Sequence, residues 1–358
     1  MNNFFTNSPL WYEQIGKIYA LFERVKISEE QSKDLLRLRR TSRILSISST
    51  TAIEGNRLTT QQVFDVINGK TVFAPQSDIK EVKNAFTAYE QMPNLNPYSV
   101  DDFLKAHSLI TENLVEEAGK FRTVGVAVVN SNREIIHSGA NHKEVPTLIE
   151  ELFEWGKTAD THPLIKSSAI HFMIEHIHPF RDGNGRIGRL WQTLVLSKWN
   201  SIFEWLPVET MVYHNQAKYY EALQKSHDKK GTVDCFPFIN FMLDVIENSV
   251  YKYVDVAVET NAIVDDPINT PSDPINLNLS DNEAHHDPIN LPLDPINDPI
   301  NSFDVLDLIK NDPYINYETL VEKTGRSRAT IKRMVKRLKQ EGFISRIGSN
   351  KTGYWQVR

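Results

Sequence analysis

Between His178 and Arg189 the sequence reads HPFRDGNGRIGR. It contains a histidine, an aspartate, three glycines and three arginines, a set of residues that could serve phosphate chemistry. His178 is a candidate general base, because an unperturbed imidazole has a pKa of about 6.5. Asp182 is a candidate Mg²⁺ ligand, because a carboxylate beside a phosphate requires a bridging cation. Arg186 and Arg189 are three positions apart and could both contact one phosphate chain. The set predicts a site where a hydroxyl attacks a bound phosphate.

The glycines from Gly183 to Gly188 also match the G-x-G-x-x-G pattern of a dinucleotide-binding turn. That fold requires a buried strand before the glycines, whereas residues 164–177 have helical periodicity and Pro179 ends the helix. An apolar stripe that begins at Ile187 predicts a second helix after the glycines. Gly183, Asn184 and Gly185 would then lie at its N-terminus, where free N–H groups attract anions. This arrangement favours a polyphosphate site, and dinucleotide binding stays a minor alternative.

The surrounding sequence predicts a mainly helical fold with one β-hairpin. Helical spacing of apolar residues covers 34–53, 145–155 and 164–177, and Thr59 with Gln62 forms a capping box. The exception is residues 123–138, TVGVAVVNSNREIIHS, where two short apolar runs flank a polar turn. We therefore expect a helical core with a single hairpin.

The central motif resembles the signature of the Fic family, H-x-F-x-[DE]-G-N-G-R-x-x-R. All eight specified positions are present, as His178, Phe180, Asp182, Gly183, Asn184, Gly185, Arg186 and Arg189. The resemblance extends over about residues 103–243. It implies a helical Fic core in which residues 123–138 form a flap that holds a target segment by strand addition.

The family resemblance also implies roles for these residues. His178 would be the general base, Asp182 the Mg²⁺ ligand, Phe180 the inward anchor of the loop, and Arg186 and Arg189 the contacts to the triphosphate of ATP. Gly183, Asn184 and Gly185 would form the anion-binding loop. The implied reaction is AMPylation, the transfer of AMP from ATP to a Ser, Thr or Tyr hydroxyl of a protein target, which could include the enzyme itself.

A second motif, TTAIEGN at residues 50–56, is similar to the inhibitory pattern [ST]-x-x-x-E-[GN] of Fic proteins. Glu54 is predicted at a helix C-terminus closed by Gly55, where its charge is opposed by the helix dipole. The resemblance implies that Glu54 pairs with Arg189 and keeps it from the γ-phosphate, which would make the protein self-inhibited. Glu54 could instead be an ordinary surface acid.

Composition limits the classes of protein that fit the chain. Its 358 residues are 40% hydrophobic and 24% charged, with net charge −6 and a single cysteine, Cys235. These values are typical of a globular protein of two or three domains without a disulfide framework. Without a secretion signal or a long apolar run, we expect a cytoplasmic protein that does not cross a membrane.

The predicted organisation is an N-terminal helical region at 1–100 that carries the inhibitory motif, a Fic core at 101–263, a linker at 264–301 and a winged helix-turn-helix at 302–358. The linker contains the tetrapeptide DPIN five times, and repeated Asp-Pro disfavours helix. A docking repeat for a partner is the alternative for this segment.

The C-terminal region is predicted to hold three helices and a hairpin, and residues 326–358 contain ten basic residues and one acidic residue. The third helix would present basic side chains to DNA phosphates, namely Lys332, Arg333, Lys336, Arg337 and Lys339. A partner-docking domain with a basic rim is the alternative.

Several functions therefore stay open at the level of sequence. The chain could be an adenylyltransferase with ATP and Mg²⁺, a nucleotide-sensing DNA-binding regulator, or a Fic enzyme that uses another nucleotide or removes AMP. A zinc site formed by His171, His176 and His178 is a further alternative, although their spacing is not that of a typical zinc site. The protein target and the oligomeric state are not determined by the sequence.

Overall fold

The computed structural model divides into two compact units, Met1–Ile275 and Asn276–Arg358. It describes residues 5–30, 35–129, 135–227, 233–264, 305, 308–310, 312–324, 328, 331–332, 335, 338–339, 344–347 and 354–357. Apart from Val264, the predicted linker lies outside these residues, as does the turn of the predicted hairpin.

The first unit consists of helices and one hairpin. Its helices are α1 (Pro9–Glu30), α2 (Leu35–Ile53), α3 (Thr60–Ile67), α4 (Gln76–Gln91), α5 (Val100–Thr111), α6 (Val145–Thr158), α7 (Pro163–Ile177), α8 (Asn184–Trp199), α9 (Val208–His214), α10 (Gln216–His227) and α11 (Phe236–Val264). Short 3₁₀ turns cover Met92–Asn94 and Ser201–Glu204. The prediction of a mainly α fold is confirmed.

Helices α7 and α8 form the centre of this unit and carry the predicted site between them. Most of α7 is buried on all sides, which is typical of a helix in the middle of a core. Pro163 begins α7, and His162 accepts a hydrogen bond from Leu164 N through Nδ1 at 3.2 Å. Since α8 is buried over most of its length as well, the loop between them is held at both ends.

The hairpin consists of β1 (Ala127–Val129) and β2 (Ile135–Ser138), paired antiparallel with Val128 opposite His137. The register shifts between Val128 and Val129. Below the hairpin, the buried Arg122 donates hydrogen bonds to four carbonyl groups, at Val124, Ala140, Ile177 and His178. One guanidinium therefore joins the base of the hairpin to the end of α7.

Helix α2 packs against the core through buried polar contacts. Glu209 of α9 accepts hydrogen bonds from Ser46 at 2.9 Å, Tyr89 at 2.7 Å and Thr193 at 2.9 Å, and these lie on α2, α4 and α8. Ser49 adds a bond of 3.0 Å to Thr210. Four helices therefore meet around one buried carboxylate, and this fixes the position of α2 beside α8.

The second unit is small and contains a helix, α12 (Tyr317–Thr324), and strands β3 (Ile344–Ile347) and β4 (Tyr354–Val357), which pair antiparallel. Its core includes Val305, Leu320, Ile331 and Trp355, and the Trp355 indole donates to Ile315 O at 3.1 Å. Of the basic residues predicted to face DNA, the structure describes Lys332 and Lys339. Arg333, Lys336 and Arg337 lie outside the described residues.

None of the helices in the described ranges combines the length and apolar character needed to cross a membrane.

Candidate functional site

The loop between α7 and α8 is closed by its own side chains. Asn184 Oδ1 accepts from Phe180 N at 2.9 Å, and Asn184 Nδ2 donates to Phe180 O at 2.9 Å. Asn184 is buried, so its side chain shapes the loop from within. The role of Asn184 as a phosphate contact stays a prediction, and its side-chain amide bonds to the Phe180 backbone on both sides.

Phe180 anchors the loop in the core. Its ring is buried and stacks on His107 with a centroid distance of 3.6 Å and an interplanar angle of 4°. His107 Nε2 donates to Asp182 O at 2.9 Å, and His107 Nδ1 accepts from Gly119 N at 2.9 Å. Burial lowers the pKa of His107 to about 4, so the ring is neutral and can hold both bonds.

The backbone conformation of the loop depends on glycine at position 183. Gly183 has φ +83° and precedes α8 as its cap, and a Cβ atom there would lie 2.7 Å from Thr111 Cγ2. Glycine is required on both counts. The first N–H groups of α8 have no partner within the helix, so the loop presents them as an anion site.

His178 stands at the end of α7 in a left-handed conformation, with φ 53°. Its Nδ1 lies 3.3 Å from Glu175 O. Because a carbonyl oxygen can only accept, the hydrogen belongs on Nδ1, and Nε2 keeps a free lone pair. Burial lowers the pKa of His178 to about 4, below the unperturbed value used in the sequence analysis, so the imidazole is unprotonated at neutral pH.

Asp182 and Arg186 are close together at the start of α8. Asp182 Oδ1 accepts from Gly183 N at 2.6 Å and from Arg186 Nη2 at 3.2 Å, while the side chain stays 63% exposed. Arg186 is buried and also donates to Glu81 Oε1 at 2.8 Å. Its Nε is buried without a hydrogen-bond partner among the residues described.

Arg189 is held by the end of α2. It donates through Nε to Thr50 Oγ1 at 3.0 Å, and through Nη2 to Thr50 O at 3.1 Å and Glu54 Oε1 at 2.6 Å. The Arg189 side chain is 2% exposed and that of Glu54 is 26% exposed. Burial acts most strongly on Arg189 and opposes its charge, but Glu54, Tyr219 and Glu175 together outweigh burial, so the pKa of Arg189 is raised. The contact between these two side chains, which the resemblance implied, is present.

The Glu54 carboxylate also lies against the glycine loop. A Cβ atom on Gly185 would be 2.6 Å from Glu54 Oε1 and 3.1 Å from Arg189 Nη1. Glu54 follows α2 directly, and the turn closes at Gly55, which has φ +94°. A negative group therefore lies beside the N-terminus of α8, an end of a helix that favours anions.

A second carboxyl group, Glu175, lies behind this pair. Tyr219 donates to Glu175 Oε1 at 3.2 Å, and the same oxygen would be 3.4 Å from a Cβ atom on Gly185. Burial raises the pKa of Glu175 to about 7, although Arg189 acts to lower it. The motif analysis did not identify Glu175, Glu81, His107 or Arg122. For His107, Glu81 and Glu175, the residue type, imidazole or carboxyl, is the one sequence signal that could have suggested a role.

The histidines proposed as a zinc alternative do not form one group. His171 is buried and bonds to Gln192 Oε1 at 2.6 Å and to the Tyr219 hydroxyl at 3.2 Å. His176 instead lies beside His137 and His227, away from His171. His178 follows α7, and its Nδ1 bonds to Glu175 O rather than to His171 or His176. The combination of these three residues in one metal site is therefore wrong.

Comparison with known proteins gives two family matches. Residues 97–196 match the Fic/DOC family and residues 299–351 match the MarR family. Protein adenylyltransferase fic-1 of Caenorhabditis elegans is 26% identical over 238 residues, which are 63% of this chain and 44% of that protein. Protein adenylyltransferase Fic of Nematostella vectensis is 24% identical over 58% of this chain and 48% of that protein. The chain thus spans less than half the length of these relatives.

Solved structures match the fold more broadly. The crystal structure of a Fic family protein from Desulfovibrio desulfuricans is 28% identical, with TM-score 0.67, and the match covers 100% of this chain and 98% of that one. A fragment of Fic-1 from C. elegans has TM-score 0.52 at 20% identity, over 70% of this chain and 74% of that one, and shows the fold alone. The predicted Fic resemblance and winged-helix region are confirmed. This chain carries a Fic/DOC domain followed by a MarR-type winged-helix domain.

Proposed function

We propose that the chain is a self-inhibited protein adenylyltransferase, which transfers AMP from ATP to a Ser, Thr or Tyr hydroxyl of a protein target. The observation that carries this proposal is the Glu54 carboxylate, bound to Arg189 at 2.6 Å beside the N-terminus of α8. Helix termini of this kind bind phosphates, and here a carboxylate stands in the phosphate position. The names of the C. elegans and N. vectensis relatives support the same activity.

The proposed reaction uses His178 as the base. Its Nε2 accepts the proton of the target hydroxyl, whose oxygen forms a bond to the α-phosphorus of ATP. The bond from the α-phosphorus to the bridging oxygen breaks, and pyrophosphate leaves with that electron pair. Because the ring is already neutral at pH 7, no proton has to be removed from His178 before it can act.

The phosphates would bind along the N-terminus of α8. Arg186, with its unpaired buried Nε, and Arg189 supply positive charge, and the helix supplies free N–H groups. The exposed carboxylate of Asp182 fits a Mg²⁺ ligand, because one oxygen is already fixed by Gly183 N and the group faces solvent. Bound Mg²⁺ would neutralise phosphate charge there.

Self-inhibition follows from competition for Arg189. While Arg189 is bonded to Glu54, it cannot also bind the γ-phosphate. The Glu54 carboxylate in addition repels that phosphate. Release of Glu54 would restore both interactions. The target segment would add to the hairpin through β1, which pairs on one side with β2 in the part of the chain that the structure describes.

The test is covalent labelling with ATP that carries radioactive α-phosphate. We expect weak labelling with the parent chain, strong labelling with Glu54→Gly, and no labelling with Glu54→Gly combined with His178→Ala. The double variant should still bind ATP, because the phosphate contacts lie on other residues. Glu112→Gln is the matched control, since Glu112 forms an exposed ion pair with Lys80 at 3.2 Å, outside the site.

Two results would contradict the proposal. Labelling of a protein by the His178→Ala variant would show that His178 is not needed for the reaction. If the Glu54→Gly variant binds ATP but labels none of the candidate targets added to it, a nucleotide sensor would be favoured. The same assay with other α-labelled nucleotides tests the choice of base. Loss of label from a pre-modified target would instead identify AMP removal.

A second proposal concerns the C-terminal unit, for which the MarR family match is the specific observation. We propose that it binds duplex DNA through the basic side chains of residues 326–358. Affinity of the full chain for a duplex should fall steeply with salt, because phosphate contacts release counterions. Replacement of Lys332 and Lys339 by Gln should reduce that salt dependence, whereas no binding at low salt would indicate a protein partner.

A further inference from the structure

Three histidines from separate elements meet beside the hairpin. His137 lies on β2, His176 on the last turn of α7 and His227 at the end of α10. One ring nitrogen of each lies within 4.8 Å of those of the other two, and all three side chains are half-buried. The proposed transfer reaction uses none of them, so their convergence calls for a separate explanation.

The hydrogen bond of His137 leaves one of its ring nitrogens without a hydrogen atom. His137 Nε2 is 2.7 Å from His176 O, and a carbonyl can only accept, so the hydrogen is on Nε2. In the neutral ring, Nδ1 then carries a free lone pair. Histidine ligands of metals characteristically donate their second ring N–H to a carbonyl or carboxylate, which fixes the ring. His137 already has this arrangement.

The other two rings face each other through the same kind of atom. His176 Nδ1 and His227 Nδ1 are 3.0 Å apart. Zinc binds imidazole nitrogen at about 2.0–2.1 Å in a tetrahedral geometry, which places two such nitrogens about 3.3 Å apart. The observed separation is therefore close to that of two ligands on one ion.

The environment keeps the three rings in the form that binds metal. Burial lowers the pKa of His137, and it lowers that of His176 to about 4 and that of His227 to about 3. Burial thus disfavours the protonated form of each ring, and a neutral imidazole has one nitrogen lone pair that can bind a metal ion. The His137 and His227 rings stack with a centroid distance of 3.8 Å. Rotation of the His227 ring about χ2, a torsion with broad energy wells, would make room for the ion while His137 keeps its bond to His176 O.

We propose that His137, His176 and His227 bind one transition-metal ion of the Zn²⁺ type. Imidazole is a preferred ligand of such ions, and three protein ligands leave the fourth position to water. Since the ligands come from β2, α7 and α10, the ion connects the hairpin to the helical core. Metal binding therefore fixes the position of β2. Because β1 is hydrogen-bonded to β2, it fixes the position of β1 as well.

The test uses the full, untagged chain, stripped of metal with a chelator and titrated with Zn²⁺ in a calorimeter. We expect one equivalent to bind, and His137→Gln and His227→Gln each to weaken affinity about 100-fold, since loss of an outer partner alone weakens metal binding about 10–100-fold. His142→Gln is the matched control from the loop after β2. His285→Gln with His286→Gln controls for the adjacent histidines of the linker.

A second measurement reports on the hairpin itself. Hydrogen exchange of the β2 amides should slow when one equivalent of Zn²⁺ is added to the parent chain, and should not change in either cluster variant. Exchange in α1, measured in the same experiment, shows whether a variant has kept its fold. Stoichiometric binding that survives both cluster variants, or absence of stoichiometric binding in the parent chain, would overturn the proposal.

Discussion

The ion pair between Glu54 and Arg189 leads to a quantitative prediction about ATP binding. Glu54→Gly removes the carboxylate at 2.6 Å from Arg189 Nη2, while Arg189 keeps its two bonds to Thr50. The arginine stays in place, and the loss of Glu54 frees one donor for a phosphate. We therefore expect ATP affinity to rise.

The size of the increase follows from the bond that ATP no longer has to break. A hydrogen bond between charged groups contributes about 1.5–3 kcal/mol. At 1.4 kcal/mol for each factor of ten, this corresponds to about 10- to 100-fold in the dissociation constant. The Glu54 side chain is 26% exposed, and solvent screening places the effect toward the lower end of the range.

The measurement is a double-mutant cycle on ATP affinity in the presence of Mg²⁺. The four chains are the parent, Glu54→Gly, Arg189→Ala and the double variant. If Glu54 acts by occupying Arg189, most of the gain from Glu54→Gly should disappear when Arg189 is already absent. Glu112→Gln serves as the control for loss of one negative charge at the surface.

Two outcomes would refute this reasoning. An equal gain from Glu54→Gly with and without Arg189 would mean that Glu54 acts only by repelling phosphate. Unchanged affinity in Glu54→Gly would mean that the carboxylate does not compete with ATP at all. The thermal unfolding of each chain must be compared first, because Arg189 is buried and its removal leaves Thr50 without those bonds.

The same structure makes three further predictions. The pKa of Glu175 is raised from 4.5 to about 7, so the contribution of Glu175 to the free energy of unfolding should fall by about 3 kcal/mol as pH rises between these values; the stability of the parent chain relative to Glu175→Gln, measured by urea unfolding at each pH, should fall by that amount. Gly183→Ala should lower stability by about 1–3 kcal/mol in thermal unfolding, because of its φ of +83° and the contact with Thr111, whereas Gly16→Ala, in open space on α1, should not. Asp182→Asn should shrink the difference between ATP affinities measured with Mg²⁺ and with EDTA, and an unchanged difference would argue against Asp182 as the ligand.

Local signals in the sequence predicted the elements that position the site. Pro179 and the apolar stripe from Ile187 placed the glycines at a helix N-terminus, and α8 begins at Asn184. Thr59 and Gln62 form the predicted capping box, with Gln62 N donating to Thr59 Oγ1 at 3.2 Å. These features depend on residues within a few positions of each other, which is why the sequence alone reveals them.

The supporting contacts could not be predicted in the same way. Arg122 reaches the carbonyl of His178 across 56 positions, and Glu81 reaches Arg186 across 105. No periodicity marks such partners, because they are chosen by packing. The pKa of His178 was missed for the same reason, since burial lowers it to about 4 and burial is a property of the folded chain.

The buried contacts of Glu209 limit how the proposed inhibition could be relieved. Withdrawal of α2 from the core would break the hydrogen bond from Ser46 to the Glu209 carboxylate and the bond between Ser49 and Thr210. Each loss would leave buried polar atoms unpaired. Glu54, by contrast, lies just past the last turn of α2 and has a partly exposed side chain. Under the proposed inhibition, rotation of the Glu54 side chain alone would release Arg189 while α2 stays in place, and an activating partner would need to engage only the surface around Gly55.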